Sequence, residues 1–323
     1  MSKLSKLVKR GGRIFAGALL CGAMMFGTAA AEEAPALDGM EAFREAITMT
    51  TKQDRRVFHQ DLLFFAPSLR ADLDLIGQTM AHKLRIAGKI SLIAIDDRAN
   101  TTDLAIPFYI DQQQKEMTLY FKPDKKWYKF QTPTLAASAI DELATPDEKE
   151  ADEILSTVKA VTVLRETDAQ RTMLVQLDSE KLADLVSQYS QKYPADKGTA
   201  DDGDMQKSIM GCLEAGIRRS NIWYTWTIDK ASARTVTMSY NLSSVLQETA
   251  RVALETHPEL PPELAQILET IAYYSDLKTY TTFLSPKAVQ KLDLPEEAKA
   301  AELVEDLTDS NTKPIETKEA AAK

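Results

Sequence analysis

Three histidines, His59, His82 and His257, are the side chains best suited to hold a metal or move a proton near neutral pH. They lie far apart in the chain, with no spacing that makes a site, and read as satisfied surface or interfacial residues. Asp201-Asp202-Gly203-Asp204 comes nearest to a cation-binding loop, yet it lacks the distal Glu at the required offset. Asp147-Glu148-Lys149-Glu150 mixes signs at helical spacing, as a solvated face does. No nucleophile elbow, phosphate loop, dinucleotide fingerprint or zinc helix is present in the sequence. Cys212, between Gly211 and Leu213, reads as a small buried hydrophobe. These observations predict a binding protein with no catalytic residue, cofactor or metal of its own.

The aromatic residues are the more informative set. Trp223, Tyr224, Trp226 and Tyr240 fall on one ribbon, and Phe108, Tyr109, Phe121, Trp127, Tyr128 and Phe130 on others. Such a face is either an ordinary sheet core or, if its covering helices leave room, a pocket for an acyl chain. The candidate ligand-binding residues are Tyr224, Trp226, Met238 and Tyr240, together with Phe108, Phe121, Leu264 and Leu268.

The elements that position them follow from periodicity. Asp38 caps a short amphipathic helix through Met40, Phe43, Ala46 and Ile47. Strands follow over 57–65, 73–76, 80–86, 90–95 and 104–110, divided by Pro67, Gly77, Gly88, Asp96-Asp97 and Asn100. Hairpins pair 117–121 with 127–131 and 158–165 with 171–177, and a charged helix spans 135–155 between them. A helix capped by Asp178 or Ser179 ends at Pro194, and 195–204 reads as an exposed loop. In the next hairpin Ile222, Tyr224, Trp226 and Ile228 face one way with Val236, Met238 and Tyr240, opposite Thr225, Thr237 and their neighbours. Helices over 244–255 and 262–271 precede a strand over 277–283 and a Pro-started helix at 295–298. The fold class is therefore α+β, an antiparallel sheet with helices packed on one side.

Residues 1–31 carry five basic residues and no acid, and an uncharged run from Ile14 ends at Ala29-Ala30-Ala31. This is the layout of a cleaved signal peptide, with the cut expected between Ala31 and Glu32 and the product periplasmic or extracellular. An uncleaved anchor is the competing reading, opposed by Gly17, Gly22, Gly27 and the shortness of the run. Lipidation at Cys21 is disfavoured because Leu20 precedes it. The chain is −9 overall and the leader +5, leaving −14 on 292 residues, which makes nucleic acid and anionic lipid surfaces poor partners. Cleavage would leave no transmembrane segment and only Cys212, so no internal disulfide.

The order of these signals resembles the outer-membrane lipoprotein carrier (LolA-like) superfamily and its envelope relatives. The matching stretches are the early helix running into a long first strand; Ile106-Pro107-Phe108-Tyr109-Ile110 with the Met117 to Phe130 hairpin; the Trp223 to Tyr240 hairpin with Ile228-Asp229-Lys230 at its turn; and the closing Leu292-Asp293-Leu294-Pro295-Glu296-Glu297. The resemblance implies a strongly curved, incomplete antiparallel β-barrel with helices on its concave side, covering 32–308, a helical insertion near 244–271 and a flexible tail over 309–323. It also implies a non-enzymatic envelope protein binding a lipid or lipidated partner in an apolar cavity. A protein-binding scaffold or envelope sensor with a packed core is the alternative, and a hydrolase ranks third.

Overall fold

The computed structural model describes residues 39–50, 55–80, 83–95, 101–113, 116–132, 155–192, 200–232, 234–285 and 292–304. The leader and its cleavage site, His82, the stretch 135–154 and the tail from 309 lie outside them.

A helix, α1 (Gly39–Thr50), precedes six strands: β1 (Arg55–Ala66), β2 (Leu69–Met80), β3 (Lys83–Ile95), β4 (Thr101–Gln113), β5 (Glu116–Phe121) and β6 (Tyr128–Thr132). The hairpin β7 (Val158–Glu166) and β8 (Gln170–Leu177) leads to α2 (Ser179–Lys192) and α3 (Ala200–Arg219). A second hairpin, β9 (Trp223–Asp229) and β10 (Thr235–Asn241), leads to α4 (Ser243–Thr256) and α5 (Pro262–Tyr274). The chain closes with β11 (Asp276–Leu284), α6 (Glu296–Lys299) and β12 (Glu302–Leu303). All twelve strands form one open sheet in the order β12-β6-β5-β4-β3-β2-β1-β11-β10-β9-β8-β7. Every pairing is antiparallel except that of β12 with β6.

Gly77 and Gly88 read as strand ends in the sequence, but both lie inside long strands. A Cβ at Gly77 would sit 2.1 Å from Cζ of Phe58, its direct cross-strand partner, and one at Gly88 would meet Phe108 Cζ at 2.8 Å. Each glycine therefore leaves room for an aromatic ring lying across the neighbouring strand.

The expected loop over 195–204 is corrected at 200–204, since α3 starts at Ala200 and runs to Arg219, while 195–199 lie outside the described residues. The ion pairs of Arg218 with Asp184 (2.6 Å) and Glu180 hold this helix against α2, the pair with Glu214 (3.0 Å) supports it from within, and burial of Ile217 and of Cys212, which meets Thr256 of α4, adds to this despite its poor helix formers.

Helices α1, α2 and α3 cover one face of β7 to β10. Ala42, Phe43, Ala46, Leu182, Ala183 and Ile217 meet Met173, Val175, Tyr224, Trp226 and Met238 in a buried core. Phe43 packs edge-on against Trp226, with ring centroids 4.9 Å apart. The chain after β11 runs across the opposite face of the sheet. There Tyr109 Oη and Arg85 Nη1 donate to the carbonyl of Leu292 at 2.9 and 3.0 Å. Burial pushes the Tyr109 hydroxyl up to about 12. The final strand then shields the β6 edge, which would otherwise offer unpaired backbone groups.

Candidate ligand-binding face

Register places the inward side chains of the sheet in rows. One row crosses eleven strands: Val163, Met173, Trp226, Met238, Thr281, Gln60, Leu75, Gly88, Phe108, Phe121 and Tyr128. Four of the sequence-selected residues, Trp226, Met238, Phe108 and Phe121, thus share one face and one row. Tyr224 and Tyr240 are paired in the next row, their rings 4.8 Å apart. Leu264 and Leu268 lie half-buried on α5 and belong to neither core cluster.

The row divides into two environments. Around Trp226 it is filled, with Tyr224 at 0% and Trp226 at 3% exposure beneath α1. Burial raises the hydroxyl pKa of both tyrosines, and for Tyr240 the neighbouring Tyr224 adds to it. The alternation expected for β10 is broken once, by a bulge between Thr235 and Thr237. Thr235, not Val236, is buried opposite Ile228, where its Oγ1 accepts from Trp226 Nε1 at 3.0 Å. The indole donor needs a buried acceptor, and the bulge supplies it. Met238 keeps its expected pairing with Trp226, and Thr225 and Thr237 point the other way.

The second environment lies over β1 to β6. Phe58, Leu62, Leu73, Leu75, Leu84, Ile86, Phe108, Ile110 and Met117 form a separate buried cluster. Beside it the cross-strand pairs Ile90 and Ile106, Leu92 and Leu104, Leu119 and Phe130, and Phe121 and Tyr128 are only half-buried. The apolar surface therefore continues outward from the cluster and stays open to solvent along β3 to β6.

Polar residues interrupt this face, Gln60, Arg56 and the buried Gln112 among them. Gln60 is 3% exposed; its Nε2 donates to Thr279 Oγ1 at 3.0 Å, and its Oε1 has no hydrogen-bond partner among the described residues. Gln60, Thr279 and Thr281 form a polar seam between the two clusters. Arg56 points inward four residues before Gln60 on β1, cross-strand from Thr79. Among the described residues no carboxylate lies within ion-pair distance of its guanidinium. Desolvation lowers its pKa to about 10, the mark of a cation held beside apolar surface.

Neither Arg56 nor Gln60 was selected from the sequence, although the signal was there. In Arg56, Phe58, Gln60, Leu62 and Phe64 two polar residues occupy inward positions of an otherwise apolar alternation. On the opposite face the register brings His59, Asp61 and Asp74 together, with one candidate ligand atom from each within 4.8 Å. His59 Nε2 meets Asp74 Oδ1 at 2.9 Å, which makes this an exposed ion-pair cluster.

No helix among the described residues is long and apolar enough to cross a membrane. Comparison with known protein families finds no family model that matches the chain, and comparison with curated proteins finds no match.

Proposed function

We propose that the protein is an exported binding protein for an anionic amphiphile, a fatty acid or acidic lipid. The acyl chain lies along the inward face of β1 to β6 and the headgroup meets Arg56. The observation that carries this reading is Arg56, without a carboxylate partner among the described residues, at the end of a partly open apolar face. A desolvated cation without a counter-ion is costly, and an anionic headgroup offsets that cost while the chain removes half-buried Ile90, Leu92 and Phe121 from water. The orphan acceptor Gln60 Oε1 gives a second polar contact, for a ligand N–H or O–H. Long antiparallel strands, an open sheet and helices on one face agree with a LolA-like incomplete barrel curved around such a ligand, and the basic leader agrees with an envelope location.

A second reading is favoured by the filled environment at Trp226: Phe43 occupies the space a ligand would need there, as in a scaffold or sensor that binds protein partners. The same titration separates the two. Delipidated protein is titrated with oleate and with oleyl alcohol while the melting temperature is followed. At 100 times Kd a specific ligand adds about 2.7 kcal/mol, worth roughly 5–10 °C for a chain of this size. Oleate should give this shift and the alcohol a smaller one, with the difference lost in Arg56→Met and kept in Arg56→Lys. No shift with any acyl ligand rejects the carrier reading and leaves the scaffold.

A further inference from the structure

Ser208 on α3 lies against the turn between α4 and α5, where its Oγ is 2.5 Å from His257 Nε2 and His257 Nδ1 is 3.0 Å from Glu259 Oε1. Glu259 is an acceptor only: its own backbone N–H and the His257 ring hold its carboxyl below the usual range, so it is ionised at neutral pH. In the neutral ring the proton between this pair sits on Nδ1, and Nε2 keeps a lone pair. The Ser208 hydroxyl then donates to Nε2. This is the order of roles by which a histidine oriented by a carboxylate activates a serine.

Hydroxyls in the interior of the other helices behave differently. Those of Thr249, Thr256 and Thr270 bond to the carbonyl four residues back, the usual fate of a hydroxyl inside a helix, while Ser179, Ser243 and Ser244 in first turns reach groups outside their own helix. Ser208 is turned toward an imidazole instead. The helix pair is built to allow it: Ser208, Cys212 and Gly216 form one small stripe on α3, and Gly216 and Cys212 meet Thr249 and Thr256 of α4 in turn. The site also opens outward, with the Glu259 side chain 71% exposed and that of His257 32%.

We propose that Ser208 is a general-base-activated nucleophile that accepts acyl groups from activated esters, an activity distinct from the ligand-binding face. Ser208 Oγ bonds to the acyl carbon while its proton passes to His257 Nε2. The ester C–O bond breaks, and that proton leaves with the alkoxide as an alcohol. Water then attacks the acyl-serine, giving the carboxylic acid and restoring the hydroxyl. The backbone amides of α3 around Ser208 are used within the helix, so they offer the oxyanion no paired donors. Loss of a single such donor costs about 100- to 1,000-fold, which confines the site to activated acyl donors.

The full chain is incubated with a fluorophosphonate probe, from which fluoride leaves with the hydroxyl proton, and the adduct is located by peptide mass spectrometry. The adduct should form on Ser208 and not on Ser220. Its rate should fall at least tenfold in His257→Gln and several-fold in Glu259→Gln, with circular dichroism unchanged. Protein-dependent hydrolysis of p-nitrophenyl acetate should fall to background in Ser208→Ala. If His257→Gln does not fold, the exposed Glu259→Gln carries the test. No adduct on Ser208 of the folded protein, or a rate unchanged in either folded variant, overturns the proposal.

Discussion

Two glycines on α3 allow the contact between α3 and α4 to be measured by substitution. Alanine is favoured over glycine inside a helix by about 1 kcal/mol, and this gain applies equally at Gly211 and Gly216. At Gly211 a new Cβ meets nothing within 4 Å. At Gly216 it would lie 2.3 Å from Thr249 Oγ1, 2.6 Å from its backbone N and 2.7 Å from its Cα. Backbone atoms cannot swing aside as a flexible side chain can, so α4 must move as a unit, at an overpacking cost of about 1–3 kcal/mol. Gly211→Ala should therefore raise stability by about 1 kcal/mol, and Gly216→Ala should change it by between about 0 and −2 kcal/mol. For a chain of this size the two melting temperatures should differ by roughly 2–12 °C. Thermal melts followed by circular dichroism would read this, with urea midpoints as a check. The fluorophosphonate rate should also fall in Gly216→Ala, since the displaced helix carries His257 away from Ser208. Equal stabilisation by both substitutions would refute the close helix crossing and with it the geometry of the serine.

Three further outcomes are expected. Thr235→Val leaves the buried Trp226 Nε1 without its acceptor and should lower the urea-derived stability by about 1–3 kcal/mol; an unchanged midpoint would contradict the bulge. Arg56→Met should raise the melting temperature of ligand-free protein, because it removes an uncompensated cation from apolar surroundings, and lower its affinity for fatty acids; a destabilised ligand-free variant would mean that the guanidinium is compensated. Hydrogen bonds from Arg171 and then Lys230 lower the Glu166 carboxyl to about 2, below its unfolded value. Its stabilisation is thus complete above the usual carboxylate range and fades as pH falls toward about 2, so Glu166→Gln should flatten that segment of the stability–pH curve, and superimposable curves would contradict the pairing.

Some of this architecture can be read locally and some cannot. The β9 and β10 hairpin is legible because apolar and polar residues alternate through it, and because Trp226 and Met238 are near in sequence. The bulge at Thr235 is not, since it answers a hydrogen-bonding need of an indole on the partner strand. Gly77 and Gly88 carry the same local signal whether they end a strand or admit a ring; only the cross-strand positions of Phe58 and Phe108 decide. Helix α3 escapes notice because Gly203, Gly211, Gly216 and the aspartate run weaken its propensity, and its support comes from α2 and α4. The pairing of β1 with β11 joins Gln60 to Thr281, and the serine relay joins Ser208 to His257. Both are long-range meetings that no local pattern encodes. Leu264 and Leu268 had the right helical spacing, but spacing does not say what lies opposite.

The central claim is that an anionic acyl ligand lies on the inward face of β1 to β6, and a diazirine-bearing fatty acid tests it most directly. After irradiation and digestion, the account predicts adducts on inward residues such as Leu75, Ile90, Ile106 and Phe121, displaced by unlabelled oleate and reduced in Arg56→Met. Outward residues of the same strands, such as Lys89 and Thr118, should remain unmodified. Adducts confined to the outward face or to α5, or adducts on the inward face that oleate does not displace, would contradict it.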